Sequence, residues 1–529
     1  METATPVAKI QEENYPTGAA KWILIITAIS CAVLELIDTT IVNVALREIS
    51  GNIGATQTEI AWVVTAYGIA NVIVIPLSSM LSNLFGRRLY FTASVAIFTF
   101  ASFMCGLSGS LWTLVFWRFI QGIGGGGLLS TAQSIILGAF PPKQMATGQA
   151  IFGVGVILGP TFGPVLGGFI TDNYSWHWIF FVNVPIGITA ALLSWRYVTD
   201  LPGLARLSKI DWWGIIFLII GVGSLQYILE EGQSNDWFES TEIVFFFALA
   251  VLGLIAFVIR ELSIDYAAVN LRLYKSFNLL MGNFMNFVIG LVINGSVFIF
   301  PLFTQVSLGW TATEQGAFMI PGAVATSISM IVVSRFINKG VNPKRVILMG
   351  LFMMSSFLIM LSFSGPDSSE RNFFWPFILR GVGAALMMMP ILGLAVAGLK
   401  GKDLAQATGL SNMLRQLGGA VGVALINIYL DRQTADIRSN MIANISNYND
   451  ATNERLGAFT QMFSQAGYST NDAAQAANMM VDGILTKQQM LVSYNHGFMM
   501  LGISILFCIP VIFMIRYKKG EKLKSVSDH

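Results

Sequence analysis

Fourteen apolar runs of bilayer-crossing length follow one another along this chain, at roughly 22–46, 60–82, 89–108, 111–138, 145–170, 178–199, 211–230, 241–262, 277–305, 314–336, 346–364, 373–398, 405–430 and 490–515. No other feature limits the fold as much. Lipid offers no water to satisfy backbone N–H and C=O groups, so each run closes its hydrogen bonds within itself as a helix. The composition agrees: 54% of residues are hydrophobic and 11% are charged, against about 25% charged in soluble domains. These proportions exclude a soluble enzyme and predict an all-α polytopic membrane protein. Residues 1–20 are polar, with Pro6, Glu12, Glu13 and Pro16, and lack the basic start of a cleaved signal peptide. The first run is therefore read as a retained helix.

Charge placement orients the helices. With the N-terminus in the cytoplasm, the segments on that side carry 22 of the 31 Lys and Arg residues. The opposite segments carry Arg47, Arg371, Arg432, Arg438, Arg455 and Lys487. Arg118, Arg380 and Arg415 fall inside spans. A basic excess on one side supports an even helix number, with both termini cytoplasmic.

The chain also repeats itself. Phe119-Ile-Gln-Gly-Ile-Gly124 reads against Ile378-Leu-Arg-Gly-Val-Gly383, and Ala146-Thr-Gly148 against Ala407-Thr-Gly409. Gly86-Arg87-Arg88 falls opposite Pro343-Lys-Arg345. The nearly constant offset implies two halves in the same membrane orientation. The expected organisation is a tail at 1–21, a six-helix bundle at 22–199, two inserted helices with flanking loops at 200–275, a second six-helix bundle at 276–515, and a tail at 516–529.

Intramembrane polar residues are the candidates for function, because burying them in lipid is expensive. The first span carries Glu35 and Asp38, three residues apart and so on one helix face, with Asn43 about a turn beyond. A desolvated carboxylate gains and loses a proton near neutrality, as a proton-coupled carrier requires. Asp38 is the favoured coupling group and Glu35 the second. The plainer reading is that Asp38 is permanently ionised against a buried arginine and holds the bundle together. Arg118 in the fourth span needs such a partner, and Gln121 lies one turn on. The glycine run that follows, Gly124 to Gly127, lacks the Gly-Lys-Ser/Thr of a phosphate loop. Candidate cavity residues are Asn43, Gln121, Asn286, Asn294, Met387, Met388, Asn412, Arg415 and Gln416. The amides offer hydrogen bonds, and the methionines adapt to varied apolar shapes.

The fifth span holds Gly155, Gly159, Pro160, Gly163, Pro164, Gly167 and Gly168. Small residues four apart let two helices approach backbone to backbone. One long polar segment, 431–490, falls on the outer side, with Leu456, Phe459 and Phe463 spaced like a short amphipathic helix. A partner-docking or gating role competes there with a passive loop. Cys31, Cys105 and Cys508 lie in apolar runs, and the three histidines are far apart, so neither a disulfide framework nor a metal site is expected.

Together, Leu36-Ile-Asp38-Thr-Thr-Ile-Val-Asn43, Arg118-Phe-Ile-Gln-Gly122, the Gly-Pro run at 155–168 and the segment from Asp172 to Gly187 resemble the fourteen-helix drug:proton antiporters of the major facilitator superfamily, the EmrB/QacA type. The resemblance covers about 22–515. It implies the major facilitator fold, two six-helix halves plus two inserted helices. It also implies export of amphipathic toxic compounds in exchange for protons, by alternating access, with no cofactor beyond the proton gradient. Asp38 and Arg118 take the places of the acid and arginine implicated in coupling. In EmrB-type systems a periplasmic adaptor and an outer-membrane channel complete the path. One departure concerns the loop after the second span, the intracellular gate loop of the family. It usually reads Gly-x-Leu-Ala-Asp-Arg-x-Gly-Arg-Arg, and here it reads Ser79-Met-Leu-Ser-Asn83-Leu-Phe-Gly86-Arg87-Arg88. Asn83 cannot make the usual charged contact.

The resulting expectation is a proton-driven multidrug exporter in a bacterial inner membrane. Its partners are the bilayer, amphipathic small molecules and protons, with no nucleic acid. The rivals are a proton-coupled uptake carrier, against which the fifth-span Gly-Pro run argues, and a non-transporting membrane sensor. An enzyme is not expected, because no nucleophile–base pair or metal cluster is in view.

Overall fold

The computed structural model describes residues 16–141, 144–200, 210–264, 266–310, 312–399, 401–443, 445 and 449–515. Most of the N-terminal tail, the whole C-terminal tail and much of the loop before the inserted pair lie outside these residues. Among the described residues every regular element is helical. The N-terminal half comprises α1 (Gly18–Ile53), α2 (Gln57–Phe85), α3 (Arg87–Gly106), α4 in two segments (Leu111–Gly125 and Leu128–Gly138), α5 (Met145–Asn173) and α6 in two segments (Trp178–Phe181 and Asn183–Tyr197). The inserted pair is α7 (Trp212–Glu231) and α8 (Thr241–Ser263). The C-terminal half comprises α9 (Phe277–Leu302), α10 (Ala312–Asn338), α11 (Pro343–Leu361), α12 (Glu370–Ala395), α13 (Gly401–Ile442), the short α14 (Asp450–Gln465) and α15 (Thr470–Ser504), which continues through two further helical segments to Met514.

Thirteen helices among the described residues are long and apolar enough to cross a membrane. The fourteenth expected span, 111–138, is α4, and neither of its segments reaches that length alone. Gly126 and Gly127 separate them, but both stay in the right-handed helical region. The Gly126 N–H still donates to the Gly122 carbonyl, and the Thr131 N–H to that of Gly127. The helical course is therefore carried across the break.

Glycine positions show the two halves to be alike in packing. A side chain at Gly122 would meet the Tyr67 carbonyl of α2, and one at Gly381 would meet the Gly322 carbonyl of α10. So α4 lies on α2 as α12 lies on α10. Gly155, Gly159, Gly163 and Gly167 set α5 against Ile29, Leu36, Thr40 and Ile41 of α1. Gly418 and Gly422 set α13 against the backbone of α9 at Phe287 and Leu291 in the same way. The small-residue spacing of α5 therefore makes a backbone-close seam with the helix that bears Glu35 and Asp38.

The inserted pair sits outside this arrangement. Leu218 and Val222 of α7 pack with Val72 and Ile73 of α2 and with Leu410 and Met413 of α13. Phe245, Leu252 and Ile259 of α8 are exposed, as suits a lipid-facing helix.

The bundle has a tail end, where α1 begins, and an opposite end. Contacts between the halves gather toward the tail end. Asn338 donates to Thr147 (3.2 Å), and Asn412 donates to Ser130 (3.2 Å) and Gln133 (3.0 Å). Ala150 shares an apolar cluster with Met330 and Leu386. At the opposite end the polar segment 431–490 is not a loop. It is a helical hairpin, because α13 runs on to Ile442 and α15 starts at Thr470, with α14 between them. The α15 extension buries Ala473, Ala477 and Leu485 at helical spacing, but small alanines among Asn, Gln and Asp make a weaker apolar stripe than Leu456, Phe459 and Phe463, so only α14 was readable as a helix. Arg438 ties the two extensions together, through Asp482 (2.5 Å) and Thr486 (3.2 Å). Leu456, Phe459 and Phe463 are half-buried on α14.

Candidate functional site

The site is built around α1. Asp38 is fully buried (0% exposed), as is Arg118 (1%), and Arg118 Nη1 lies 2.5 Å from Asp38 Oδ2. The other carboxylate oxygen accepts from Gln121 Nε2 (2.8 Å) and Asn183 Nδ2 (2.9 Å). Arg118 also donates to Gln121 Oε1 (2.8 Å) and to the Val63 carbonyl (3.1 Å), and its guanidinium lies over the Tyr67 ring at 4.3 Å. Both charges are thus paired and hydrogen-bonded, as burial requires. The pairing reads Asp38 as the partner that Arg118 needs.

Glu35, one turn back, faces elsewhere. It is also buried (4% exposed), with one oxygen accepting from Asn71 Nδ2 (3.0 Å) and the other from the Leu129 N–H (3.0 Å). Asn71 also reaches the Tyr67 hydroxyl (3.4 Å), so a continuous path leads from Glu35 through Asn71 and Tyr67 to Arg118 and Asp38. Unlike Asp38, Glu35 lines a cavity of about 370 Å³ at the junction of the halves. The N-terminal half contributes α1, α2, α4 and α5 to its wall, and the C-terminal half α9 to α13. Pro160 and Thr161 of α5 form part of it. No residue of α7 or α8 lines it.

Of the expected cavity residues, Asn294, Met388, Asn412, Arg415 and Gln416 lie in the wall. Four others do not line it, each for a geometric reason. Asn43 is exposed, two turns beyond Glu35 toward the hairpin end. Gln121 is held by Asp38 and Arg118. Asn286 lies two turns below Asn294 toward the tail end, buried, with no partner for its Nδ2 among the described residues. Met387 is rotated about 100° from Met388 and packs into the C-terminal core beside Gly350. Sequence reasoning gave no role to Asn71, Tyr67 or Thr326. Asn71 carried a signal, as an amide in the middle of an apolar span.

At the tail end, Gly86 turns the chain between α2 and α3 with φ 89°. Arg87 donates to the Thr199 carbonyl (3.0 and 2.8 Å), and the Arg88 N–H to Asp200 Oδ1 (3.0 Å). The loop is thereby fastened to the end of α6. Asn83 is half-buried, and its Nδ2 finds no partner among the described residues. The charged contact of the family pattern is not made from this position.

Two like helical halves closing on one mid-bundle cavity define a multi-pass membrane carrier. Residues 28–423 match the Major Facilitator Superfamily. The chain is 31% identical to the multidrug export protein EmrB of Escherichia coli (strain K12) over 92% of its own length and 94% of the relative's. It is 30% identical to the fatty acid resistance protein FarB of Neisseria gonorrhoeae, over 95% of this chain and 98% of that one. The crystal structure of the human organic anion transporter MFSD10 superposes with a TM-score of 0.59 at 13% identity, covering 93% of this chain and 99% of that one, a likeness of fold. The chain therefore belongs to the Major Facilitator Superfamily, as an EmrB-type member.

Proposed function

We propose that this protein is a proton-driven exporter of amphipathic compounds, a multidrug efflux carrier working by alternating access across a bacterial inner membrane with both termini in the cytoplasm. The observation that carries the reading is one cavity walled by both halves, with a membrane carboxylate, Glu35, in its wall and the Asp38–Arg118 pair linked behind it. The names of the relatives, multidrug export and fatty acid resistance, support export of toxic compounds.

In this reading Glu35 takes up and releases the proton where substrate also sits. Asp38 and Arg118 form the rest of the coupling unit, and Asn71 and Tyr67 connect the two. No cofactor takes part, and the pH gradient supplies the energy. Packing of the halves at the tail end supports a state closed toward the cytoplasm. The helical hairpin is the surface on which a periplasmic adaptor docks, with an outer-membrane channel beyond it.

Inverted membrane vesicles test this reading. With an acidic lumen, amphipathic dyes of either charge should accumulate inside, and an ionophore that abolishes the gradient should stop them. Glu35→Gln should lose gradient-driven accumulation and keep dye binding. Dye movement indifferent to the pH gradient, or a gradient that drives dye out of these vesicles, would overturn the reading.

A further inference from the structure

Arg380 of α12 lines the cavity half-buried, yet it makes no hydrogen bond or ion pair to any described residue. Its guanidinium carbon lies 5.6 Å from the centre of the Phe377 ring. This is unlike Arg118, which has its acid on α1. The sequence leaves no equivalent acid in the C-terminal half. From Phe277 to Leu302, α9 has no Asp or Glu, and α11 has none. The only acids of α10, α12 and the membrane part of α13 are Glu314, Glu370 and Asp403, at the first turns of their helices.

The other charges of the wall are Glu35 and Arg415. Glu35 has both oxygens held by donors of the N-terminal half. Arg415 donates to Asn412 Oδ1 (3.3 Å). Two guanidiniums therefore face one engaged carboxylate. The remaining wall is largely apolar, including Leu36, Val156, Ile293, Val297 and Met354. A guanidinium in a low-dielectric wall requires an anion or equivalent acceptors. A planar guanidinium also matches a carboxylate or sulfonate with two parallel hydrogen bonds.

We infer that Arg380 is the anchor for the acidic headgroup of an amphipathic organic anion whose apolar body lies along the Leu36–Val156–Val297 side of the cavity. This deepens the export reading and rests on it: Arg380 sets the sign of charge the carrier prefers, and Met388 and Met354 accommodate varied bodies.

Purified full-length protein in nanodiscs, with no gradient, gives the test. Equilibrium dialysis compares 6-phenylhexanoate with 6-phenylhexylammonium, two probes of like size and opposite charge. The wild type should bind the anion at least about tenfold more tightly, the size of one charge-assisted contact. Arg380→Gln should abolish that preference, and Arg380→Lys should keep part of it. Equal or tighter binding of the ammonium probe to the wild type overturns the inference, with no variant needed. So does an Arg380→Gln protein that melts like the wild type and still prefers the anion. Because binding is read without a gradient, anion preference without gradient-driven export sinks only the export reading. Gradient-driven export with a preference for cations sinks only the inference.

Discussion

Asp38 accepts hydrogen bonds from three side chains, Arg118, Gln121 and Asn183, and donates none. An asparagine there would turn an N–H₂ group toward other donors and leave Arg118 buried without its counter-charge. Asp38→Asn should lower stability by about 3–5 kcal/mol, the usual effect of removing one partner of a buried ion pair. Adding Arg118→Met should restore most of the melting temperature, read by tryptophan fluorescence in detergent, and should not restore efflux. If the single variant melts like the wild type, the pair does not stabilise the bundle. Glu35→Gln should lower melting much less, because it strands no buried counter-charge: the glutamine oxygen can accept from the Leu129 N–H while Asn71 turns its amide oxygen to accept from the glutamine N–H₂. The sequence made both acids visible and favoured Asp38 for coupling. It did not show which of them reaches the cavity. Residues three apart differ by only about 60° around a helix, and where the cavity edge falls within that arc depends on how α4 seats against α1. The same limit separates Met388 from Met387.

Helix positions and the repeat were legible because spanning length and small-residue spacing are local properties of the chain. The spacing announced a close seam on α5, but that its partner is α1 came only from the fold. Gly163→Val should push α5 off Thr40, lower the melting temperature and reduce transport, and a variant that melts and pumps like the wild type would refute a close-packed seam. The inserted pair yields a sharper check. All three native cysteines are buried, so added ones report cleanly. Cysteine at Leu218 or Val222 should resist aqueous maleimide from both sides, whereas cysteine at Thr39, in the cavity wall, should react. Labelling of the α7 positions at the Thr39 rate would place the pair on the transport path. The helical hairpin was less legible than the spans, since the period that buries Ala473, Ala477 and Leu485 is written in small side chains among polar ones and gives a weak amphipathic signal.

At the scale of the whole molecule, the halves meet toward the tail end through contacts such as Thr147 with Asn338. Alternating access requires that junction to part. Cysteines at 147 and 338 joined by a short bifunctional maleimide should halt turnover while leaving ligand binding from the opposite side intact, and a reducible linker should restore pumping when cleaved. Full turnover by the cross-linked protein would rule out separation of the halves at this point. The opposite end has a different consequence. With 42 residues, α13 is about 63 Å long at 1.5 Å per residue, against a hydrocarbon core of about 30 Å. Its residues 431–442 run on past the 405–430 span and pair with α15 through Arg438 and Asp482, a helical projection of about 18 Å. Carriers of this size are hard to image singly because the micelle hides every landmark. This one carries its own, a fixed mark from which the orientation of each particle can be determined.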